Sequence, residues 1–337
     1  MEKKSQGPNP IDVDIKSGEF HRVYVLYGPE DYLKLQYRDK LVKAVLPTDD
    51  GMNLSRIEGK DLDVKDLINS AETMPFFADK RVIVVNGSGL FKKANDELAD
   101  YLEHVCETTV LVFVEAEVDA RVKTFKNAQK FGATYEFVMP DDMMLKKWIA
   151  TKLKNDGVEM TNDAYQTFFE MTSDSMANMA TEYEKLIAFS GEGKKIEKTD
   201  VLSICTRQIT TRIFDMINAM AARDSKTAFD LYQDMLQSGS ETPLGILALI
   251  CNQYKQLLMI GELDARGLNF NDIGSKMKIS PYAVKYKLPL LKKMTGKEIK
   301  SLLEDAADYE RKIKSGLLDD QLAVELLMMK YSRRETA

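Results

Sequence analysis

Val23-Tyr24-Val25-Leu26-Tyr27 runs straight into Gly28-Pro29-Glu30-Asp31-Tyr32-Leu33-Lys34-Leu35, and this junction decides how the first half of the chain folds. A short run of β-prone, apolar residues predicts a buried strand. A glycine-led turn follows, and Leu33, Tyr37, Leu41, Ala44 and Val45 then fall on one face of a helix. Strand, glycine turn and helix are the layout of a phosphate-binding loop, but the binding residues are missing. Against G-x-x-x-x-G-K-[ST], Gly28 and Lys34 are in place, while Leu33 replaces the second glycine and Leu35 the hydroxyl that reaches Mg²⁺. A phosphate cradle needs glycine so that backbone N–H groups can close on the ligand, and leucine has no oxygen for a metal. The loop therefore predicts the architecture of a nucleotide-binding domain without its chemistry. No ATP, metal or other cofactor is expected, and partner binding is.

The same alternation continues to residue 138. A second helix carries Val64, Leu67, Ile68 and Ala71 on one face, with Asp61 or Asp63 available as its N-cap. The runs Val82-Ile83-Val84-Val85 and Val110-Leu111-Val112-Phe113-Val114 read as strands buried on both faces, with a helix from about Asn95 to Val105 between them. Tyr135-Glu136-Phe137-Val138 is the expected last strand, and Pro140 closes the domain. Helix alternating with buried strand predicts a mostly parallel sheet with right-handed crossovers. From Asp141 onward strand signals disappear. Short helices are expected over 141–207, the first holding Trp148 and Ile149, with breaks at Gly157 and around Gly191–Gly193. Longer ones are expected near 211–223, 225–237, 243–266, 296–313 and 319–332. The plan is a multidomain α/β plus α chain: a polar tail over 1–20, an α/β domain over 21–140, a small helical domain over 141–207 and a larger one over 208–337.

Composition fits that plan. A chain of 337 residues with 44% hydrophobic content buries sizeable cores in two or three domains. Its net charge of -6 argues against a wholly basic nucleic-acid coat. Cys106, Cys205 and Cys251 lie far apart and follow no metal spacing, as in a reducing cytoplasm. The first stretch has no apolar signal-peptide core, and no run approaches ~18 consecutive apolar residues, so a soluble, intracellular protein away from membranes is expected.

Catalytic chemistry has little to stand on. His21 and His104 are the only histidines, and neither pairs with a serine or cysteine nucleophile. Glu115, Glu117 and Asp119 directly follow a buried strand, where many enzymes hold a metal. The rival reading is a solvated loop with Asp119 capping the next helix. An ATPase of this layout would also end its metal strand in carboxylates, whereas Val82–Val85 runs into Asn86-Gly87-Ser88.

Two further segments draw the eye. In Thr73-Met74-Pro75-Phe76-Phe77-Ala78-Asp79-Lys80-Arg81, Pro75 ends a helix and adjacent phenylalanines follow. Neighbours in an extended chain point to opposite sides, so one ring is expected to pack inward and the other, with Met74, to form an exposed knob suited to a partner's pocket. The alternative wedges both rings under a loop. Phe270 to Lys285 reads as helix, turn and second helix from Pro281, like a helix-turn-helix DNA reader. Eight lysines against Glu298 lie between Lys276 and Lys300, so phosphate attraction at Lys285, Lys287, Lys292 and Lys293 is one reading. A helical pair packed within an all-α domain is the other, and no arginine is present there to read guanine.

Together these residues resemble the delta subunit of bacterial DNA polymerase III. The resemblance runs through nearly all of residues 22–332. It is carried by Tyr24–Glu30, Met74-Pro75-Phe76-Phe77-Ala78, Glu115 with Asp119-Ala120-Arg121 and Lys126, Trp148, Glu184-Lys185-Leu186, Ile279–Val284, and Lys312–Gly316 followed by Glu325. It implies a RecA/AAA+-like N-terminal domain that has lost ATP binding, a small lid-like helical domain, and a C-terminal collar that oligomerises with gamma or tau and delta-prime subunits. It also implies a hydrophobic pair gripping the ring-shaped sliding beta clamp, which falls here on Phe76 and Phe77, with Met74 and Pro75 shaping the approach. Many members carry Leu-Phe there, so Phe76 is a departure. The implied role is clamp opening on primed DNA within a DNA-directed DNA polymerase (nucleotidyltransferase) complex in the cytoplasm, at the replisome and nucleoid. The collar role favours the packing account of the helical pair. Other classes remain: a helix-turn-helix DNA-binding protein with a degenerate nucleotide-binding domain, or a metal-dependent nuclease or ATPase using Glu115, Glu117 and Asp119. The sibling delta-prime subunit usually has a zinc-type cysteine cluster and a Ser-Arg-Cys finger, and neither is found here.

Overall fold

Strand burial explains the sheet. In the computed structural model, which describes residues 10–333 apart from 49–50, 60–61, 173–174, 192–194, 207, 278 and 280, the chain divides into two units, Met1–Met139 and Pro140–Ala337. The first runs α1 (Pro10–Ser17), β1 (Val23–Tyr27), α2 (Asp31–Val45), β2 (Leu54–Glu58), α3 (Val64–Ala71), β3 (Arg81–Asn86), α4 (Asp96–Tyr101), β4 (Thr109–Glu115), α5 (Lys123–Phe131) and β5 (Ala133–Glu136). The strands form one sheet in the order β2-β3-β4-β1-β5, and every pairing is parallel. Alternate residues of β1 feed two apolar layers. Val23 and Val25 face a core with Leu67, Leu98 and Phe125 from α3, α4 and α5. Tyr24 and Leu26 face the other, with Ile11 of α1 and Leu41 of α2. Helices on both faces are why β3 and β4 carry continuous apolar runs.

Three details differ from the sequence reading. The strand β2 was not expected, because its mixed composition lacks alternation and it lies at the sheet edge. The last strand begins at Ala133, two residues before the tyrosine expected to open it, pairing Tyr24 with Ala133. Part of the expected tail is helix α1. It is anchored by buried Ile11 and by the Tyr24 and Tyr37 hydroxyls, which donate to Asp14 and Asp12 at 3.0 and 3.1 Å. Asp63 caps α3 by accepting from the Lys65 N–H at 2.8 Å, while residue 61 lies outside the described residues.

The turn after β1 has a stringent backbone requirement. Gly28 sits at φ 117, and a Cβ there would lie 2.3 Å from the Phe137 carbonyl oxygen. Gly28→Ala is expected to cost about 2–3 kcal/mol through strain and clash. A thermal melt of the purified variant would show it, and an unshifted midpoint would contradict the packing described.

In the second unit, α6 (Asp142–Asp156), β6 (Glu159–Met160), α7 (Asn162–Thr172), α8 (Met176–Ser190), β7 (Lys195–Ile196) and α9 (Lys198–Ile204) come first. A two-residue parallel pair, β6 with β7, interrupts what read as wholly helical sequence. It is too short to leave a periodic signal. Next come α10 (Ile209–Ala221), α11 (Ser225–Gln237), α12 (Pro243–Ala265), α13 (Phe270–Met277), α14 (Pro281–Lys287), α15 (Gly296–Lys314) and α16 (Asp320–Ser332). Helices α10, α11, α12, α15 and α16 share a core including Ile217, Tyr232, Tyr254, Leu302 and Leu327. Among the described residues α12 is long and apolar enough to cross a membrane, by length and composition. Here Ile246, Ile250, Tyr254 and Leu257 pack one face of it into that core.

Candidate functional site

The connector after α3 presents an aromatic tip. Met74 is 78% exposed, Phe76 53% and Phe77 94%. Phe77 and Met74 form the exposed knob expected, but Phe76 does not pack inward and neither ring is wedged under the loop, so those two readings of burial are corrected. The cause lies in the backbone. Asn53, buried ahead of β2, accepts the Phe76 N–H at 2.6 Å and donates its side-chain amide to the Phe76 carbonyl at 2.8 Å. The main chain is therefore tied inward and the rings project. Phe77 then takes φ 50, in the left-handed region. The two rings meet edge to face at 4.5 Å. Met52, beside Asn53, is also exposed. Sequence reasoning missed Met52 and Asn53, because nothing local connects an asparagine to a carbonyl 23 residues away.

The degenerate phosphate loop turns its lysine inward. Lys34 is almost wholly buried, donates to the Glu115 carbonyl at 3.0 Å and pairs with Asp31 at 2.8 Å. Its amine thus braces α2 against the end of β4. Leu33 packs on the sheet, Leu35 is exposed, and burial pushes the Glu30 carboxyl above its ordinary range.

The acidic trio does not converge. Buried Glu115 accepts the Ser88 and Gly89 N–H groups at 3.1 and 3.0 Å, together with the Ser88 hydroxyl. Glu117 bridges to Lys92 at 2.6 Å. Asp119 accepts the Arg121 N–H at 2.9 Å and pairs with its guanidinium; these hydrogen bonds hold its carboxyl down at about 2. Asp119 does not cap α5, whose N-cap is Val122. Among the described residues no group of three or more His, Cys, Asp or Glu is placed to hold a metal ion.

The helix-turn-helix look-alike is a packed pair. Ile273 of α13 and Val284 of α14 are buried against Ile260 of α12. Lys287 donates to Gln253 and Gln256 at 2.8 and 2.6 Å and lies 5.7 Å from the Phe214 ring centre. Residues 278 and 280, inside the motif, lie outside the described residues. Lys285, Lys292, Lys297 and Lys300 line a groove of about 970 Å³ with Phe270 and Glu262, while Lys293 is exposed elsewhere. The expected lysines are thus divided: Lys287 is engaged in packing, and Lys285 and Lys292 share an open groove.

The family model of the DNA polymerase III delta subunit matches residues 24–137, and a second model, of the C-terminal domain of that delta subunit, matches residues 210–331. The chain is 25% identical over 332 residues to DNA polymerase III subunit delta of Bacillus subtilis (strain 168), covering 95% of each. It is 21% identical over 296 residues to the probable DNA polymerase III subunit delta of Aquifex aeolicus (strain VF5), covering 84% of this chain and 83% of that one. The solved Bacillus subtilis DNA clamp loader delta protein has the same fold, with a TM-score of 0.74 and 24% identity, covering 96% of this chain and 99% of that chain. Matched in both halves of its length, the chain belongs to the DNA polymerase III delta subunit family.

Proposed function

We propose that this delta subunit grips and opens the ring-shaped sliding beta clamp through Met74, Pro75, Phe76 and Phe77. The observation that carries the reading is a pair of exposed aromatic rings on a backbone tied down by hydrogen bonds. Isolated large rings in water are costly, and such rings suit an apolar pocket on a partner. Opening follows if the subunit binds the opened ring more tightly than the closed one. The energy input comes from ATP in neighbouring gamma or tau subunits, and residues 208–337 form the collar that joins them and delta-prime. The residues 21–140 form the clamp-binding domain and 141–207 a separate small domain. With Lys34 engaged internally, this chain itself takes no nucleotide and no metal, and its contribution is to a complex whose activity is DNA-directed DNA polymerisation in the cytoplasm. The name of the solved relative, a clamp loader delta protein, supports the reading.

The test is direct binding of the purified chain to its cognate sliding clamp immobilised on a surface. Saturable, slowly dissociating binding is expected, and no binding by the folded chain removes the proposal.

Within the loader, Lys285 and Lys292 are proposed to meet the phosphates of primed DNA, because they share an open groove with Lys297 and Lys300. Lys285→Ala is expected to weaken loader–DNA binding and lower the salt slope by about one. Lys287→Met instead costs about 1 kcal/mol of stability through lost packing and hydrogen bonds, with DNA binding unchanged. Salt titrations of DNA binding beside thermal melts separate the two.

A further inference from the structure

We infer that Asn53 is a positioning residue for the aromatic tip, setting the conformation in which Phe76 and Phe77 meet the partner. This rests on the clamp-gripping reading and adds a residue outside the tip itself.

The geometry is specific. Asn53 is only 2% exposed, and its own carbonyl accepts the Val82 N–H at 2.8 Å, which ties it to the start of the β2–β3 pairing. Its side-chain amide then meets Phe76 from both sides, accepting at 2.6 Å and donating at 2.8 Å. Because the oxygen accepts from an N–H and the nitrogen donates to a carbonyl, only one orientation of the amide satisfies both contacts. The side chain acts as a short piece of strand, pairing with one residue of a connector that has no strand of its own. Aspartate would keep the acceptor but set a negative oxygen against the Phe76 carbonyl. Alanine would remove both bonds.

The next residue shows what this clamp holds. Phe77 lies at φ 50, a region that L side chains rarely adopt and that persists only where surrounding contacts over-determine it. The rings cannot supply those contacts, since both are exposed and touch each other. The fixed point nearest to the strain is the Asn53–Phe76 pair. Holding the tip before binding spares the complex the cost of ordering two aromatic side chains and their backbone.

The experiment uses the full chain and its immobilised sliding clamp. Asn53→Ala and Asn53→Asp are expected to weaken binding by about tenfold, mainly through faster dissociation, with the melting transition still cooperative. In a Phe77→Ala background the further loss on Asn53→Ala should shrink below about threefold, because the positioned ring is already gone. Unchanged affinity in folded Asn53→Ala would overturn the inference, as would an equal loss in both backgrounds. Wild-type protein provides a test that needs no folded variant. The Phe76 amide should exchange about 100-fold slower than an unstructured amide, and exchange at the unstructured rate would overturn the inference. Failure of the underlying reading looks different: wild-type chain would not bind the clamp at all, or Phe76→Ala/Phe77→Ala would bind as tightly as wild type.

Discussion

Phe76→Ala/Phe77→Ala is expected to weaken binding to the sliding clamp by about 100-fold or more while leaving the thermal midpoint in place. Each aromatic side chain taken fully out of water contributes about 1.5–3 kcal/mol, and each 1.4 kcal/mol is about tenfold in affinity. Two rings therefore account for roughly two to four decades. The lower end is the better expectation, because the rings already cover part of each other edge to face at 4.5 Å and Phe76 is 53% exposed. Stability should not follow affinity, because neither ring belongs to either apolar layer of the sheet. The measurement pairs surface binding with a thermal melt of the same sample. A folded double variant that binds as wild type would show that the grip lies elsewhere.

Glu115→Ala should have the largest effect on folding, about 3–5 kcal/mol. The carboxylate is buried at the end of β4, a strand held between β3 and β1. It receives the Ser88 and Gly89 N–H groups and the Ser88 hydroxyl. Alanine takes the acceptor from three part-buried donors at once, and a donor left without its partner costs more than the bond itself contributes. Glu117→Ala is the control: its bridge to Lys92 is solvated on both sides, so a change within about 0.5 kcal/mol is expected. Urea denaturation of the two variants gives the comparison. The outcome also bears on the metal-enzyme reading of the acidic trio. A catalytic glutamate can be replaced with loss of turnover and little loss of stability, whereas a structural one shows the reverse. Equal, small effects for both variants would reject the structural role assigned to Glu115.

Much of the architecture could be read directly from residue order. Continuous apolar runs at Val82–Val85 and Val110–Val114 can be satisfied only by burial on both faces, which demands helices above and below a parallel sheet. Leucines at positions 33 and 35 stand where the phosphate-loop pattern asks for a glycine and a hydroxyl, a departure legible from residue type. The long helices of the second half were legible for a similar reason: their apolar spacing is local and repeats every turn.

What tertiary structure alone decided is set by contacts between residues far apart in the chain. Sequence placed Phe76 and Phe77 together and predicted that one would turn inward. Asn53, 23 residues earlier, ties the Phe76 backbone to the sheet and turns both rings out. The lysine of the degenerate loop matches the phosphate-loop pattern in sequence, but it braces the end of β4 through a carbonyl 81 residues away. The acidic trio looked like one cluster, but Glu115 is drawn into the loop after β3 while Glu117 and Asp119 pair with separate cations. In each case residue type states which bonds a side chain can make. Only the fold states which partner is within about 3 Å to make them.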